Sequence, residues 1–268
     1  MRRSITIPVI ATLGFLFLYA PIISLVIFSF NANRLVTVWS GFSLKSYADL
    51  WADPQLLPAT WLSLQIAAVA ATVALVLGTL CAYALVRFRR FRGKTILQAT
   101  VSAPLAMPDV ITGLALLLLF VAMQSFIGWP SSRGVLTITI AHATFCTAYV
   151  TVVVQSRLVD LDLSLEEAAM DLGATPVRVF FDVTLPIIAP ALISGWLLAF
   201  TLSLDDLVIA SFVSGPGSST LPMVIFSKIR LGVAPEVNAL ATIIIGFVAA
   251  GVFIATLLQL RRPRAAKT

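Results

Sequence analysis

Six stretches of this chain stay apolar for longer than a buried core helix requires: Ile5–Phe30, Leu62–Val86, Thr100–Ile127, Val135–Gln155, Ile187–Val213 and Asn238–Leu260. An α-helix rises about 1.5 Å per residue, so about 20 apolar residues cross a hydrocarbon core of roughly 30 Å. Each stretch reaches that length, which predicts an all-α membrane protein with six transmembrane helices in a single domain, 1–268. The balance of the chain agrees, with 59% of its 268 residues hydrophobic and 11% charged. That is too little charge to cover a water-exposed surface. Arg2 and Arg3 precede the first stretch as in a secretory signal. The run is too long for a signal core, however, and no small-residue cleavage pattern follows, so it reads as a retained helix.

The basic residues orient the bundle. Thirteen Lys and Arg fall on one side (Arg2, Arg3, Arg87, Arg89, Arg90, Arg92, Lys94, Arg157, Arg178, Arg261, Arg262, Arg264, Lys267), and five on the other (Arg34, Lys45, Arg133, Lys228, Arg230). Positive charge is retained on the cytoplasmic side, so both termini are expected there. The first external loop, Asn31 to Trp61, carries Trp39, Phe42, Tyr47, Trp51 and Trp61. Such aromatics suit an interfacial segment, with a short helix expected from near Ser43. Cys81 and Cys146 lie inside apolar runs and read as small packing residues.

The long cytoplasmic loop, about 157–186, has its own helical grammar. Ser164 and Glu167 have capping-box spacing, which predicts a helix start at Ser164 with Glu166 and Glu167 in the favourable first turn. Gly173 suits the left-handed position just past that helix, and Thr175 with Pro176 suits the start of a second. Pro186 is expected to end the second helix and return the chain to the membrane. Two short helices joined by a glycine turn suit docking into a partner's groove; packing against the base of the bundle is the alternative.

Three carboxylates stand where charge is costly. Asp109 lies inside the third stretch among Pro104, Pro108 and Gly113; Asp205 and Asp206 lie deep in the fifth. A charge at mid-membrane costs roughly 2.5–3.5 kcal/mol on insertion scales, so such residues face polar cavities. Pro104, Pro108 and Pro190 mark places where helices bend and free carbonyls. Two readings of the carboxylates stand: Asp109 with at least one of Asp205 and Asp206 lines a route for cations, or they cap broken helices or pair with another subunit. His142, with no acidic partner near in sequence, reads as a hydrogen-bonded core residue, and Trp196 and Phe200 as packing.

Gly93-Lys94-Thr95 has the end of a phosphate-binding loop but has Phe88 where its first glycine belongs, so no ATP site is expected. No metal cluster and no nucleophile–base pair is visible, so an enzyme is not expected.

Glu167-Ala168-Ala169, Gly173, Val183 and Leu185-Pro186 resemble the EAA motif of ABC importer permeases, with Val183 where isoleucine is usual. APLAMPDVITGLALLLLF, AHATFCTAYV and GWLLAFTLSLDDLVIASFVSGPG extend the resemblance over nearly the whole chain and narrow it to polyamine importers. The resemblance implies the type I ABC importer permease fold in a bacterial inner membrane, with putrescine as substrate and spermidine as the alternative. It further implies that Glu166 to Pro186 is a coupling helix seated in a cytoplasmic ATPase. Glu166, Glu167, Ala168, Ala169, Gly173, Pro176, Leu185 and Pro186 carry that contact, and Glu167 pairs with a basic residue there. The implied partners are a second permease, two ATP-binding subunits that hold ATP and Mg, lipid, and a periplasmic binding protein at Ser214 to Pro235, with no nucleic acid and no cofactor in this chain. A stand-alone secondary transporter would also place carboxylates in the membrane, but it gives a docking loop of this spacing nothing to do. No inverted repeat is detectable either.

Overall fold

The structure is a computed structural model that describes residues 6–33, 38–88, 90–231 and 235–261. Of the charges used for orientation, Arg2, Arg3, Arg34, Arg89, Arg262, Arg264 and Lys267 lie outside the described residues. The described chain is helical: α1 (Thr6–Phe28), α2 (Lys45–Ala52), α3 (Leu56–Arg87), α4 (Lys94–Ala106), α5 (Asp109–Ile127) and α6 (Val135–Val159) come first. Then follow α7 (Leu163–Asp171), α8 (Pro176–Val179), a π-helical turn (Phe180–Thr184), α9 (Leu185–Asp205), α10 (Val208–Val213), α11 (Leu221–Leu231) and α12 (Pro235–Arg261). Among the described residues, five helical stretches are long and apolar enough to cross a membrane: Ile7–Phe28, Leu56–Arg87, Asp109–Ile127, Val135–Val159 and Pro176–Asp205. The sixth expected span falls in α12, whose 27 residues rise about 40 Å.

Two expected spans are broken. Thr100–Ile127 divides at Met107 and Pro108 into α4 and α5, with Met107 at φ −92°, ψ 137°. Proline excludes the helical region for the residue before it and supplies no N–H of its own. Ile187–Val213 divides at Asp206, which is extended at φ −67°, ψ 123°. Asp205 and Asp206 therefore stand at the end of α9 and not deep within a helix, as the sequence suggested.

The chain forms two compact units. One comprises residues 1–57 and 225–268. In it α12 packs against α1 and α2. Around the expected interfacial segment, Phe30 stacks on Phe42 and leans on Tyr47, with centroids 5.5 and 5.2 Å apart. The Asn31 amide donates to the Val38 carbonyl at 2.7 Å, and its side-chain oxygen accepts from Ser40 N–H. Asp53 caps α3 by accepting from the backbone N–H groups of Gln55 and Leu56, both at 2.8 Å. The Lys228 ammonium donates to Asp53 and also to Glu236 at 3.3 Å. Burial raises the Asp53 pKa, but the bond from Lys228 and the N–H groups of Leu56 and Gln55 outweigh it, leaving the carboxyl below its ordinary 3.8. Burial lowers Lys228, yet its bonds to Asp53 and Glu236 leave it above its ordinary 10.5.

The other unit, residues 58–224, is built around α6. Ile138, His142, Val150, Val154 and Leu158 of this helix are fully or almost fully buried. Lipid tails are as apolar as leucine, so these helices associate through close van der Waals packing of small residues. Ala67, Ala70, Ala71 and Ala74 give α3 a side with no bulk, and all four are fully buried. Val150 fits against two glycines: a Cβ built on Gly78 meets its Cγ1 at 2.7 Å, and one on Gly195 meets it at 3.6 Å. α3 and α9 thereby both approach α6 closely at Val150. Large apolar side chains point outward instead, among them Leu118 and Phe126 on α5, the reverse of a water-soluble fold.

Gly78→Ala places a methyl group where Val150 and the Thr151 backbone stand, and should destabilise the protein by about 1–3 kcal/mol as overpacking does. Gly14→Ala, with nothing within 4 Å, should be silent. Unfolding in detergent micelles compares the two. A second expectation concerns Lys228. Asp53, with its pKa depressed, stabilises above 3.8 and loses this only as pH falls through its lowered value. Lys228, with its pKa raised, stabilises below 10.5 and loses this only as pH rises past its raised value. The stability difference between wild type and Lys228→Met should therefore stay constant from about pH 5 to 9 and shrink outside that window.

Candidate functional site

The loop at about 157–186 folds as two short helices on a glycine turn. The N-cap of α7 lies two residues earlier than the capping-box reading placed it: Asp162, not Ser164, caps the helix and accepts from Ser164 N–H at 3.0 Å. Aspartate at that position also meets the positive end of the helix, which serine does not. The helix ends in a Schellman turn: Gly173 N–H reaches the Met170 carbonyl at 2.9 Å, and Ala174 N–H reaches Ala169 at 3.1 Å. Gly173 sits at φ +87°, a backbone region that L side chains rarely adopt. Thr175 and Pro176 start α8 as expected, although the Thr175 side chain makes no cap bond. Pro186 does not end the second helix. α8 runs through the π turn into α9, with Leu185 N–H bonded to the Phe180 carbonyl. A proline clashes with the carbonyl four residues back, and one wider turn of helix accommodates it without a break.

The two adjacent glutamates face opposite ways. Glu167 and Ala168 are exposed, as are Gly173, Pro176 and Pro186; Ala169 and Leu185 are half-buried. Apolar side chains stand out beside them, Leu172 at 90% exposure and Val177 at 68%. Glu166 turns inward and is buried. Its Oε1 accepts from Arg87 Nη2 at 2.9 Å, from Arg87 Nε at 3.2 Å and from the Thr184 hydroxyl at 2.8 Å. Arg87 Nη1 also donates to the Leu158 carbonyl at 3.2 Å. Tyr83 stands edge-on to Phe180 nearby, with centroids 5.1 Å apart. Nothing in the sequence pointed to Arg87 or Thr184, since the partners lie 79 and 18 residues from Glu166.

The carboxylates lie where helices are interrupted. Asp109 is the first residue of α5 and is exposed. α5 packs along α10, close enough that a Cβ on Gly113 would meet Phe212 at 2.7 Å. Asp206 opens α10: its carboxylate accepts from Ile209 N–H at 3.2 Å and Ala210 N–H at 2.7 Å. It also accepts from His142 Nε2 at 3.1 Å, and His142 Nδ1 meets the Ser203 hydroxyl at 2.7 Å. His142 is the core residue the sequence suggested, with an acidic partner 64 residues away that the sequence could not supply. Asp206 is thus held by three donors in its own unit, while Asp205 next to it is exposed. Asp109 and Asp206 both lie within electrostatic reach of Asp205. Carboxylates concentrated in this way favour a cation and repel anions. Trp196 and Phe200 stack at 5.2 Å, and the indole N–H donates to Thr72 at 3.1 Å. Among the described residues no His, Cys, Asp and Glu group has the arrangement of a metal site.

The family model described as binding-protein-dependent transport system inner membrane component matches residues 74–265. The chain is 64% identical over 253 residues to the putrescine transport system permease protein PotI of Escherichia coli (strain K12), covering 94% of this chain and 90% of that protein. It is 45% identical to the spermidine/putrescine transport system permease protein PotC of Haemophilus influenzae, over 85% of this chain and 86% of that one. Among solved structures, it resembles a bacterial ABC transporter involved in the import of the acidic polysaccharide alginate. There the TM-score is 0.72 at 17% identity, with 97% of this chain and 96% of that chain covered. The MetNI methionine ABC transporter in an inward-facing conformation gives 0.62 at 16% identity, covering 80% and 97%. At such identities the structural likeness speaks for the fold, which is the expected all-α fold of type I ABC importer permeases.

The geometry separates the two aspartates. Asp206→Ala should destabilise by about 1 kcal/mol or more, since it removes a helix cap. Its effect should be coupled to that of His142→Ala by about 0.5–3 kcal/mol in a double-mutant cycle. Asp205→Asn should leave stability within about 0.5 kcal/mol, as expected of an exposed side chain. Unfolding of the purified variants in detergent reads all three.

Proposed function

Because the chain belongs to the family of binding-protein-dependent transport system inner membrane components, we propose that it is one permease half of a putrescine importer. The observation that carries the substrate is the 64% identity to a putrescine permease across 94% of the chain. Putrescine is a diamine with a charge at each end of an apolar spacer. Asp109 and Asp205, both exposed, supply the carboxylates that meet those charges on the translocation route. Asp206, already held by three donors, fixes the break in the helix that lets Asp205 face the route.

Both units belong to one permease domain spanning 1–268, with both termini in the cytoplasm. A second, non-identical permease completes the route, and a periplasmic polyamine-binding protein delivers substrate from outside. Two cytoplasmic subunits bind ATP and Mg and hydrolyse the nucleotide; this chain translocates and does not catalyse. The knob formed by Glu167, Ala168, Gly173, Pro176, Leu172 and Val177 seats in one of those subunits, with Glu167 offered to a basic residue. Closure of the ATPase pair moves the knob and rocks the helices, so that access to the carboxylates alternates between the two faces. Spermidine is the second reading, favoured by the 45% identity to a spermidine/putrescine permease.

Uptake of labelled putrescine, with spermidine as competitor, tests this in cells carrying the complete transporter and either wild-type chain or Glu167→Ala with Gly173→Pro. Proline cannot adopt the φ of +87° found at Gly173, so the knob should lose its shape. Uptake should fall at least about tenfold while the chain stays in the membrane. Uptake indifferent to the knob but abolished by a proton ionophore at constant ATP would overturn the reading. Much stronger uptake of spermidine would change the substrate alone.

A further inference from the structure

α7 is nine residues long, and short turns join it to α6 and α8. A force applied to such an element is absorbed by rotation in its flanking turns unless noncovalent bonds fix it to the bundle. Glu166 makes those bonds. Its Oε1 gathers Arg87 from the end of α3 and Thr184 from the turn before α9, and Arg87 adds the last turn of α6 through the Leu158 carbonyl. Four elements meet at one oxygen and one guanidinium. The Arg87 and Glu166 side chains are 9% and 8% exposed, so salt and water screen the pair weakly. A buried ion pair contributes little net stability over apolar side chains of the same volume, because desolvation offsets its attraction. What a planar guanidinium on a carboxylate does supply is fixed geometry. Beyond Thr184, α9 runs unbroken to Asp205, 21 residues and about 30 Å away.

We propose that Arg87, Glu166 and Thr184 form the rigid link that carries displacement of the α7–α8 knob into α3, α6 and α9, and so to the carboxylates at the far end of α9. Arg87 is then a positioning residue for transport that acts through Glu166. The inference rests on the coupling role proposed above. It gives the neighbouring glutamates separate roles, Glu167 facing the partner and Glu166 facing the bundle.

The test uses the complete transporter in proteoliposomes, with Arg87→Met and Glu166→Gln combined so that no buried charge is left unpaired. Substrate imported per ATP hydrolysed is one readout. The other is the distance between spin labels at Ser164 and Phe88, measured with and without ATP. The double variant should hydrolyse ATP within about twofold of wild type but import about tenfold less per ATP. Arg87→Lys should recover part of the loss. The label distance should stay constant across the ATP cycle in wild type and spread in the double variant. An unchanged import ratio would overturn the link, as would a wild-type distance that shifts on ATP binding. Hydrolysis and import lost together, and not recovered by Arg87→Lys, would make the bridge a fold contact only and also overturn it. Wild-type liposomes that fail to import putrescine would defeat the substrate reading, while the label distance, which needs only ATP and the ATPase, still decides the link.

Discussion

Water is absent from the hydrocarbon core of a membrane, so every backbone N–H and C=O there must find its partner within the protein. Helices satisfy that demand by themselves, and the architecture is largely a record of where helices are allowed to stop. At Pro108 the missing N–H and the steric demand on Met107 break one span. At Asp206 a carboxylate takes over the first N–H groups of α10, so the chain changes direction without orphaning donors. At Pro186 the same demand is met differently, by a wider turn that keeps the helix continuous. The two breaks leave Asp109 and Asp205 at helix ends, and the wider turn at Pro186 keeps the helix continuous from Pro176 to Asp205.

Packing within residues 58–224 follows from the same solvent. With no hydrophobic drive between helices, contact requires close approach, and glycine and alanine on α3 and α9 permit it around Val150 of α6. Two polar clusters inside this unit are correspondingly partnered, while the buried hydroxyls of Thr79 and Thr220 are not. His142 joins Ser203 to Asp206, and Glu166 joins Arg87 to Thr184. Unpaired, either group would cost several kcal/mol in so dry a setting.

Local grammar was legible where bonding partners are close in sequence. The Gly173 turn, the Thr175–Pro176 start and the interfacial helix after Ser43 follow from residues within a few positions of one another. The cap of α7 was misplaced by two residues because Asp162 and Ser164 both suit a cap, and only the backbone path decides between them. Pro186 was misread for a related reason: a proline is compatible with a stop or with a π turn, and periodicity does not distinguish them. The family resemblance supplied fold and substrate class, but it could not say which of Glu166 and Glu167 faces inward.

The sequence by itself determined that this chain crosses a membrane as helices. The length and apolarity of its runs leave no other way to satisfy the backbone. It also determined that the loop at about 157–186 carries a helix–glycine–helix knob, since caps and turns act over three or four residues. The tertiary structure alone decided which carboxylates are held and which are open, and what ties the knob to the bundle. Those outcomes depend on partners 79 and 64 residues apart, Arg87 with Glu166 and His142 with Asp206, brought together when α3, α6 and α9 close on small residues. No local pattern encodes such a meeting, because it exists only after the helices have packed.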